Sequence, residues 1–252
     1  MTENSRIALV TGANQGIGLQ IAKDLVANGL TVLLASRNRE RGEAAAQTIE
    51  GDIHPIQLDV TDPVSIQTAA AQVEQQFGRL DILINNAAIS RANGQDVETM
   101  RDYIERSRAT LISVDEVRTI WETNVFGVLS VTQAFVPLLR KSAAARIVNV
   151  SSGLGSLTFN STPNPYRGTF NPGYGASKTA LNAITLAFAI DLEAEGIKVN
   201  AVTPGFTSTA LNNFEGTETV EQGAAEAVRV ALLGSDSPTG TFTGSVNEPY
   251  PW

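Results

Sequence analysis

The sequence predicts one α/β domain of three layers, a doubly wound parallel sheet with helices on both faces. Short apolar runs of strand length alternate along the chain with segments of helical periodicity, the pattern of a parallel sheet buried on both sides. Polar and small residues gather where each apolar run ends, and such sheets build their ligand crevice at the carboxyl ends of their strands. A chain of 252 residues is long enough for one large domain of this class and short for two.

Ile7 to Val10 is the first apolar run, followed by Gly12, Gly16 and Gly18 and then by Ile17, Ile21 and Leu25 at helical spacing as far as Asn28-Gly29. A turn stripped of Cβ atoms lets backbone N–H groups approach a pyrophosphate, and the helix start behind it adds unpaired donors and a positive dipole end. Gly12, Asn14, Gln15, Gly16, Ile17 and Gly18 are therefore candidate cofactor contacts. Their Gly-x3-Gly-x-Gly spacing differs from both Gly-x-Gly-x-x-Gly and the P-loop.

Leu30 to Ala35 is the second strand, ending in Ser36-Arg37-Asn38. An acid at this strand end would accept from the ribose 2′-hydroxyl of NAD, whereas an arginine suits a 2′-phosphate. Arg37, with Asn38 beside it, thus points to NADP(H). A helix over Arg39 to Glu50 leads to a third strand, His54 to Val60, whose Asp59 and Val60 are placed to meet the adenine. Pro63 to Phe77 reads as a helix capped by Thr61 or Asp62 and stopped at Gly78. The fourth strand, Leu80 to Asn85, opens into Asn86 and Ala87, small enough for a ligand to lie against the backbone.

Residues at about 90–112 form an added helical segment, with Val97, Met100 and Ile104 recurring between Asp96 and Thr110. Val114 to Leu139 is a longer helix, expected to break or tighten at Pro137, with the amide of Asn124 set in its apolar stripe. The fifth strand, Arg146 to Val150, ends in Ser151-Ser152-Gly153. The stretch at about 154–172 is a polar pocket loop, and Gly153, Leu154, Phe159, Tyr166 and Phe170 are candidates for a substrate wall. A helix begins at Tyr174 and reaches about Glu195, so Tyr174 and Lys178, four apart, face the same place. A strand from Ile197 to Val202 gives way to Pro204, Gly205, Phe206, Thr207 and Thr209, with Leu211 close behind. A helix over Val220 to Leu233 and a strand around Thr241 to Thr243 complete the pattern.

Net charge is −8, with 26 acids against 18 bases and no long basic run, so a nucleic-acid partner is not expected. The absence of cysteine excludes disulfides and thiolate chemistry, and the single histidine, His54, has no partners for a metal site. No apolar run approaches membrane-spanning length, and a soluble cytoplasmic protein is the expectation.

A tyrosine titrates near pH 10 and is a weak acid–base catalyst until its phenolate is stabilised. Lys178 one turn away, with the positive nicotinamide of an oxidised cofactor, would supply that stabilisation. Ser152 would hold a substrate oxygen and Asn124 would order a proton path. One reaction uses all four groups: hydride moves between nicotinamide and carbonyl carbon while Tyr174 moves the proton.

These residues resemble the short-chain dehydrogenase/reductase family over nearly the whole chain. Thr11-Gly12-x3-Gly16-Ile17-Gly18 matches its cofactor motif, Asn85-Asn86-Ala87 the motif after strand four, and Asn124, Ser152 and Tyr174-x3-Lys178 its catalytic set. Pro204-Gly205 through Thr209 matches the segment enclosing nicotinamide and diphosphate. The resemblance implies a Rossmann-like fold. Arg37 and the terminal Gly240-Thr-Phe-x-x-Ser-Val…Pro-Trp pattern are most like the carbonyl reductase branch, in which NADPH reduces ketones, aldehydes or quinones. The same residues would serve an NAD(P)+-dependent alcohol dehydrogenase running in the oxidative direction; a non-redox or regulatory NADP-binding protein is the further alternative. Departures are Gln15 where a base is common, Ala88 for the last glycine of Asn-Asn-Ala-Gly, and longer intervals before Asn124 and between Ser152 and Tyr174, which leave Ser151 in competition with Ser152.

The apolar candidates favour an uncharged or weakly polar small-molecule carbonyl or alcohol as substrate, with Arg167 leaving room for a carboxylate end. Ala176, Ala180, Ala183 and Ala187 make a smooth helix face, and with the family's habit they suggest a homodimer or homotetramer.

Overall fold

The computed structural model describes residues 5–92 and 99–252. β1 (Ile7–Thr11), β2 (Thr31–Ser36), β3 (Ile53–Gln57), β4 (Ile82–Asn85), β5 (Arg146–Val150), β6 (Lys198–Val202) and β7 (Phe242–Thr243) form one seven-stranded sheet in the order β3-β2-β1-β4-β5-β6-β7, with every pairing parallel. The chain order reverses between β1 and β4, and that switch point opens the crevice at the carboxyl ends of the strands. Pro55 is accommodated because β3 is an edge strand, where a missing N–H leaves no inner ladder broken.

Alternate strand residues feed two cores. Leu9, Leu33, Leu83, Ile147 and Val199 pack on one face with Ile66, Val73 and Phe135; Val10, Val32, Ile84 and Val148 pack on the other with Ile21, Leu25 and Val228. The first face is covered by α3 (Pro63–Phe77), by the long helix that contains Phe135, and by the helix that starts at Tyr174. The second is covered by α1 (Gly16–Ala27), α2 (Arg39–Ala46) and the helix Val220–Leu232. The local signals sit where the physics requires them. The Asp62 side chain accepts from Val64 N at 2.9 Å ahead of Pro63, and Gly78 ends α3 at φ 74°. α2 stops at Ala46 rather than running on to Glu50, and the Thr48 hydroxyl bonds the Ala45 carbonyl at 2.7 Å.

The segment after β4 holds a short helix, α4 (Met100–Arg106), capped by Thr99; Asp96 and Val97, expected at its start, lie outside the described residues. α5 (Val114–Trp121) and α6 (Val128–Leu139) are joined by a π-helical turn over Glu122–Gly127. The break expected at Pro137 is therefore displaced. Pro137 and Gln133 are both exposed, so the carbonyl that the proline deprives of its donor is not sealed in the core, and the helix runs through. The irregularity falls instead at Asn124. A short helix, α7 (Leu157–Ser161), interrupts the pocket loop; α8 (Tyr174–Asp191) and α9 (Val220–Leu232) complete the layers. Among the described residues no helix is long and apolar enough to cross a membrane.

Candidate active site

The glycine turn is shaped by the end of β4 as well as by its own backbone. Gly12 (φ 63°) and Gly16 (φ 57°) adopt left-handed conformations, and a Cβ on Gly12 would lie 2.9 Å from Cα of Ala87. A Cβ on Gly18 would strike the Asn86 amide. Thr11 Oγ1 accepts from the N–H groups of Asn86 and Ala87 at 3.0 and 3.1 Å, while the Asn86 side chain donates to the Thr11 carbonyl at 2.9 Å. The two strand ends are thus a single rigid floor. No side chain caps α1, whose N-terminal residue Gln15 is extended, so its first N–H groups are free for an anion. Thr209 closes over this turn, its Cγ2 3.5 Å from where a Gly16 Cβ would be. Thr207 is buried, its hydroxyl donating to the Pro204 carbonyl at 2.9 Å, and Gly205 takes φ 75° with Glu218 packed against it.

At the adenosine end, Ser36 is buried and donates to the Asn38 carbonyl at 2.9 Å, and the Asn38 side chain accepts from Arg41 N to cap α2. Arg37 is exposed between them, without an ion-pair partner among the described residues; Arg39 is occupied by Glu43 at 2.8 Å. β3 ends at Gln57 rather than reaching Val60, and Asp59 Oδ1 accepts from the Thr61 N–H and hydroxyl, which fixes the carboxylate in the loop just beyond the strand. The Val60 carbonyl approaches the π turn so closely that a Cβ on Gly127 would be 2.9 Å from it.

The catalytic candidates converge beyond β5. Ser151 is buried and donates to Asn182 Oδ1 at 2.6 Å, away from the crevice. Ser152, extended at φ −159°, turns the other way, toward Tyr174, and its hydroxyl accepts from Leu154 N at 3.2 Å. The structure thus separates the two serines. Lys178 is buried under the Tyr174 ring and donates to the Val150 carbonyl at 2.8 Å. Burial without a carboxylate partner pushes Lys178 down to about 7, and burial pushes Tyr174 up to about 12 against the opposing effect of Ser152. Asn124, fully buried, accepts from Ile89 N and donates to Ile89 O, both at 2.9 Å, and donates to Ser177 Oγ at 3.0 Å. Its side chain is committed to the Ile89 backbone after β4 and to Ser177, the residue before Lys178 on α8.

Of the wall candidates, Tyr166 packs against Phe206 with ring centroids 6.4 Å apart, and Phe159 lies 5.6 Å from Tyr250. Phe170 packs beneath Gly175, at the first turn of α8. Leu154 follows Ser152-Gly153, and Leu211 lies on the flap carrying Phe206. Tyr250, Tyr103 and Asn171 are not among the site residues that the sequence suggests. Tyr174 N donates to Asn171 Oδ1 at 2.8 Å, Asn171 Nδ2 donates to the Tyr103 hydroxyl at 3.3 Å, that hydroxyl donates to Ser90 O at 3.2 Å, and Ser90 Oγ donates to Leu211 O at 2.8 Å. The only available signal was Asn171-Pro172-Gly173 directly before a helix, an Asx-turn pattern.

Comparison with known proteins agrees with this arrangement. The family model for short chain dehydrogenase matches residues 6–219. The chain is 38% identical over 239 residues to short-chain dehydrogenase anuI of Penicillium roqueforti, covering 91% of this chain and 89% of the relative. It superposes with TM-score 0.79 on salutaridine reductase from Papaver somniferum, at 31% identity over 94% of this chain and 99% of that one. For menthone neomenthol reductase from Mentha piperita the TM-score is 0.78, at 30% identity over 96% and 99%. The chain belongs to the short-chain dehydrogenase family, in the carbonyl reductase-like branch, and is an NADPH-dependent oxidoreductase of it.

Proposed function

We propose that this protein reduces the carbonyl of a neutral small molecule with NADPH, using Tyr174 as proton donor. The observation that carries the reading is the grouping of Tyr174, its neighbour Ser152 and the buried Lys178 at the carboxyl end of β5. The glycine cradle, the uncapped start of α1 and the exposed Arg37 fit a phosphorylated dinucleotide along the switch point. Arg37 and Asn38 would hold the 2′-phosphate, Asp59 and Val60 would meet the adenine, Gly12 to Gly18 would hold the diphosphate with Thr207 and Thr209, and Asn86, Ala87, Pro204 and Gly205 would serve the nicotinamide end. When bound, NADPH supplies the hydride and then a positive ring beside the phenol.

Ser152 Oγ holds the substrate oxygen, and Tyr174 Oη gives it a proton as the alkoxide forms. Lys178 Nζ, also a ribose contact, stabilises the phenolate left behind and returns a proton to it; its depressed pKa makes that exchange accessible near neutral pH. Asn124 is a positioning residue, holding the Ile89 peptide and Ser177 and through them the start of α8. Gly153, Leu154, Phe159, Tyr166, Phe170, Phe206 and Leu211 supply a largely apolar wall, which suits an uncharged ketone or aldehyde; the reductase names of the plant relatives support the same class. The test is NADPH oxidation with ketones, aldehydes and quinones. Tyr174→Phe, folded and binding NADPH, is expected to lose about 10²-fold or more in turnover, and near-normal turnover overturns the mechanism.

A further inference from the structure

The segment after β7 returns to the active site. A 3-10 turn over Ser245–Asn247 is pinned to α9: Asn247 N donates to the buried Glu226 at 3.2 Å, and Arg229, ion-paired to Glu226, donates to Asn247 Oδ1 at 2.9 Å. From there Tyr250 N donates to the Phe242 carbonyl at 2.8 Å, the Tyr250 ring packs between Phe242 (5.1 Å) and Phe159 (5.6 Å), and Trp252 stacks on Phe242 at 5.5 Å. The Trp252 carbonyl accepts from Thr158 N at 3.2 Å and Ser156 Oγ at 3.4 Å, tying the segment to the start of α7.

This packing delivers the Tyr250 hydroxyl to Gly153, the residue after Ser152. A Cβ on Gly153 would lie 2.7 Å from it. The ring is held on two sides, yet the hydroxyl has no hydrogen-bond partner among the described residues. Burial, with Glu248 and Tyr166 nearby, raises its pKa, so it remains a protonated donor at neutral pH. A largely apolar wall thus gains a donor held in place by ring packing, beside the residue that follows the serine assigned to the reacting oxygen.

Resting on the carbonyl reductase reading, we infer that Tyr250 is a specificity-determining residue whose hydroxyl binds a second oxygen on the substrate, adjacent to the reacting carbonyl. The favoured class is then α-hydroxy or α-dicarbonyl compounds rather than simple ketones. A site built to hydrogen-bond a substrate oxygen discriminates against the analogue that lacks it, because its own polar group is left unpaired.

α-Hydroxyacetophenone and propiophenone differ only by hydroxyl against methyl, so the ratio of their kcat/KM values isolates the contact. Tyr250→Phe keeps the ring and its packing. The ratio is expected to fall by about five- to tenfold relative to wild type, mainly through KM for the hydroxyketone. An unchanged ratio, whether both ketones slow equally or neither does, overturns the inference and leaves the carbonyl reductase reading standing. Absence of NADPH oxidation by wild type with both ketones overturns that reading and this inference with it.

Discussion

Lys178 Nζ lies 5.6 Å from the centre of the Tyr174 ring and is held there by the Val150 carbonyl, not by an acid. A buried ammonium with one backbone acceptor is costly to the fold, and that cost is the source of its acidity near neutral pH.

The cost has a definite pH dependence in the cofactor-free protein. The Lys178 pKa is about 7 when folded and ordinarily 10.5, so between these values the unfolded chain holds a proton that the folded chain does not. Stability therefore rises with pH across this window, and the penalty is greatest below about 7. Lys178→Met removes the penalty and, on the proposed mechanism, the amine that serves Tyr174. Relative to wild type, its Tm should be higher at pH 6 than at pH 10 by at least about 3 °C, with turnover and NADPH binding both impaired. Equal Tm differences at the two pH values contradict this assignment.

The two serines should part ways on substitution. Ser151→Ala breaks a 2.6 Å bond and strands Asn182, whose Nδ2 is already unpartnered, so it should cost about 1–2 kcal/mol of stability while kcat is nearly retained. Ser152→Ala should do the reverse, with little loss of stability and a large loss of kcat. Urea denaturation and steady-state kinetics on both variants read this directly, and a larger kcat loss in Ser151→Ala would reverse the roles.

Arg37 is the exposed cation at the end of β2. Arg37→Ala should raise KM for NADPH at least about tenfold, in line with the loss of a charge-assisted phosphate contact, and leave KM for NADH nearly unchanged. Equal use of both cofactors by wild type, with no effect of the substitution on either, removes the basis for the preference.

On α8, Ala183, Leu186, Ala187 and Ile190 are exposed at i, i+3, i+4 and i+7, a continuous apolar stripe that extends the alanine face read from sequence. A homodimer or tetramer should form through it, seen by light scattering as a mass well above the 26.7 kDa of one chain. Ile190→Glu should shift that mass down, and a monomeric wild type contradicts the assembly.

The sheet was legible because β1, β2, β4, β5 and β6 lie in short apolar runs closed by their own turn residues, and because Asp62-Pro63 and Gly78 bracket α3 by local rules. The Tyr174 and Lys178 pair was legible for a similar reason, since helix spacing alone puts them on one face. What escaped was set by packing across the chain. Ser151 and Ser152 are chemically identical in sequence, and only the position of Asn182 on α8 separates them. Asn124 was visible as an anomaly, but its partner is the Ile89 backbone, which no pattern of side chains reports. Tyr250 reaches Gly153 from nearly a hundred residues away in sequence, through a turn fixed by Glu226.

The bonds that run from Leu211 through Ser90, Tyr103 and Asn171 to the backbone of Tyr174 join the Leu211 segment and the start of α8 in one chain of contacts. A displacement of the Leu211 segment would then be felt at the start of α8, and the reverse. A change in the added segment, far from the reacting bond, would alter both the residence time of a product and the aim of the phenol. Attempts to widen this enzyme's repertoire by loop exchange should therefore replace Ser90, Tyr103, Asn171 and Leu211 as a unit or leave all four in place.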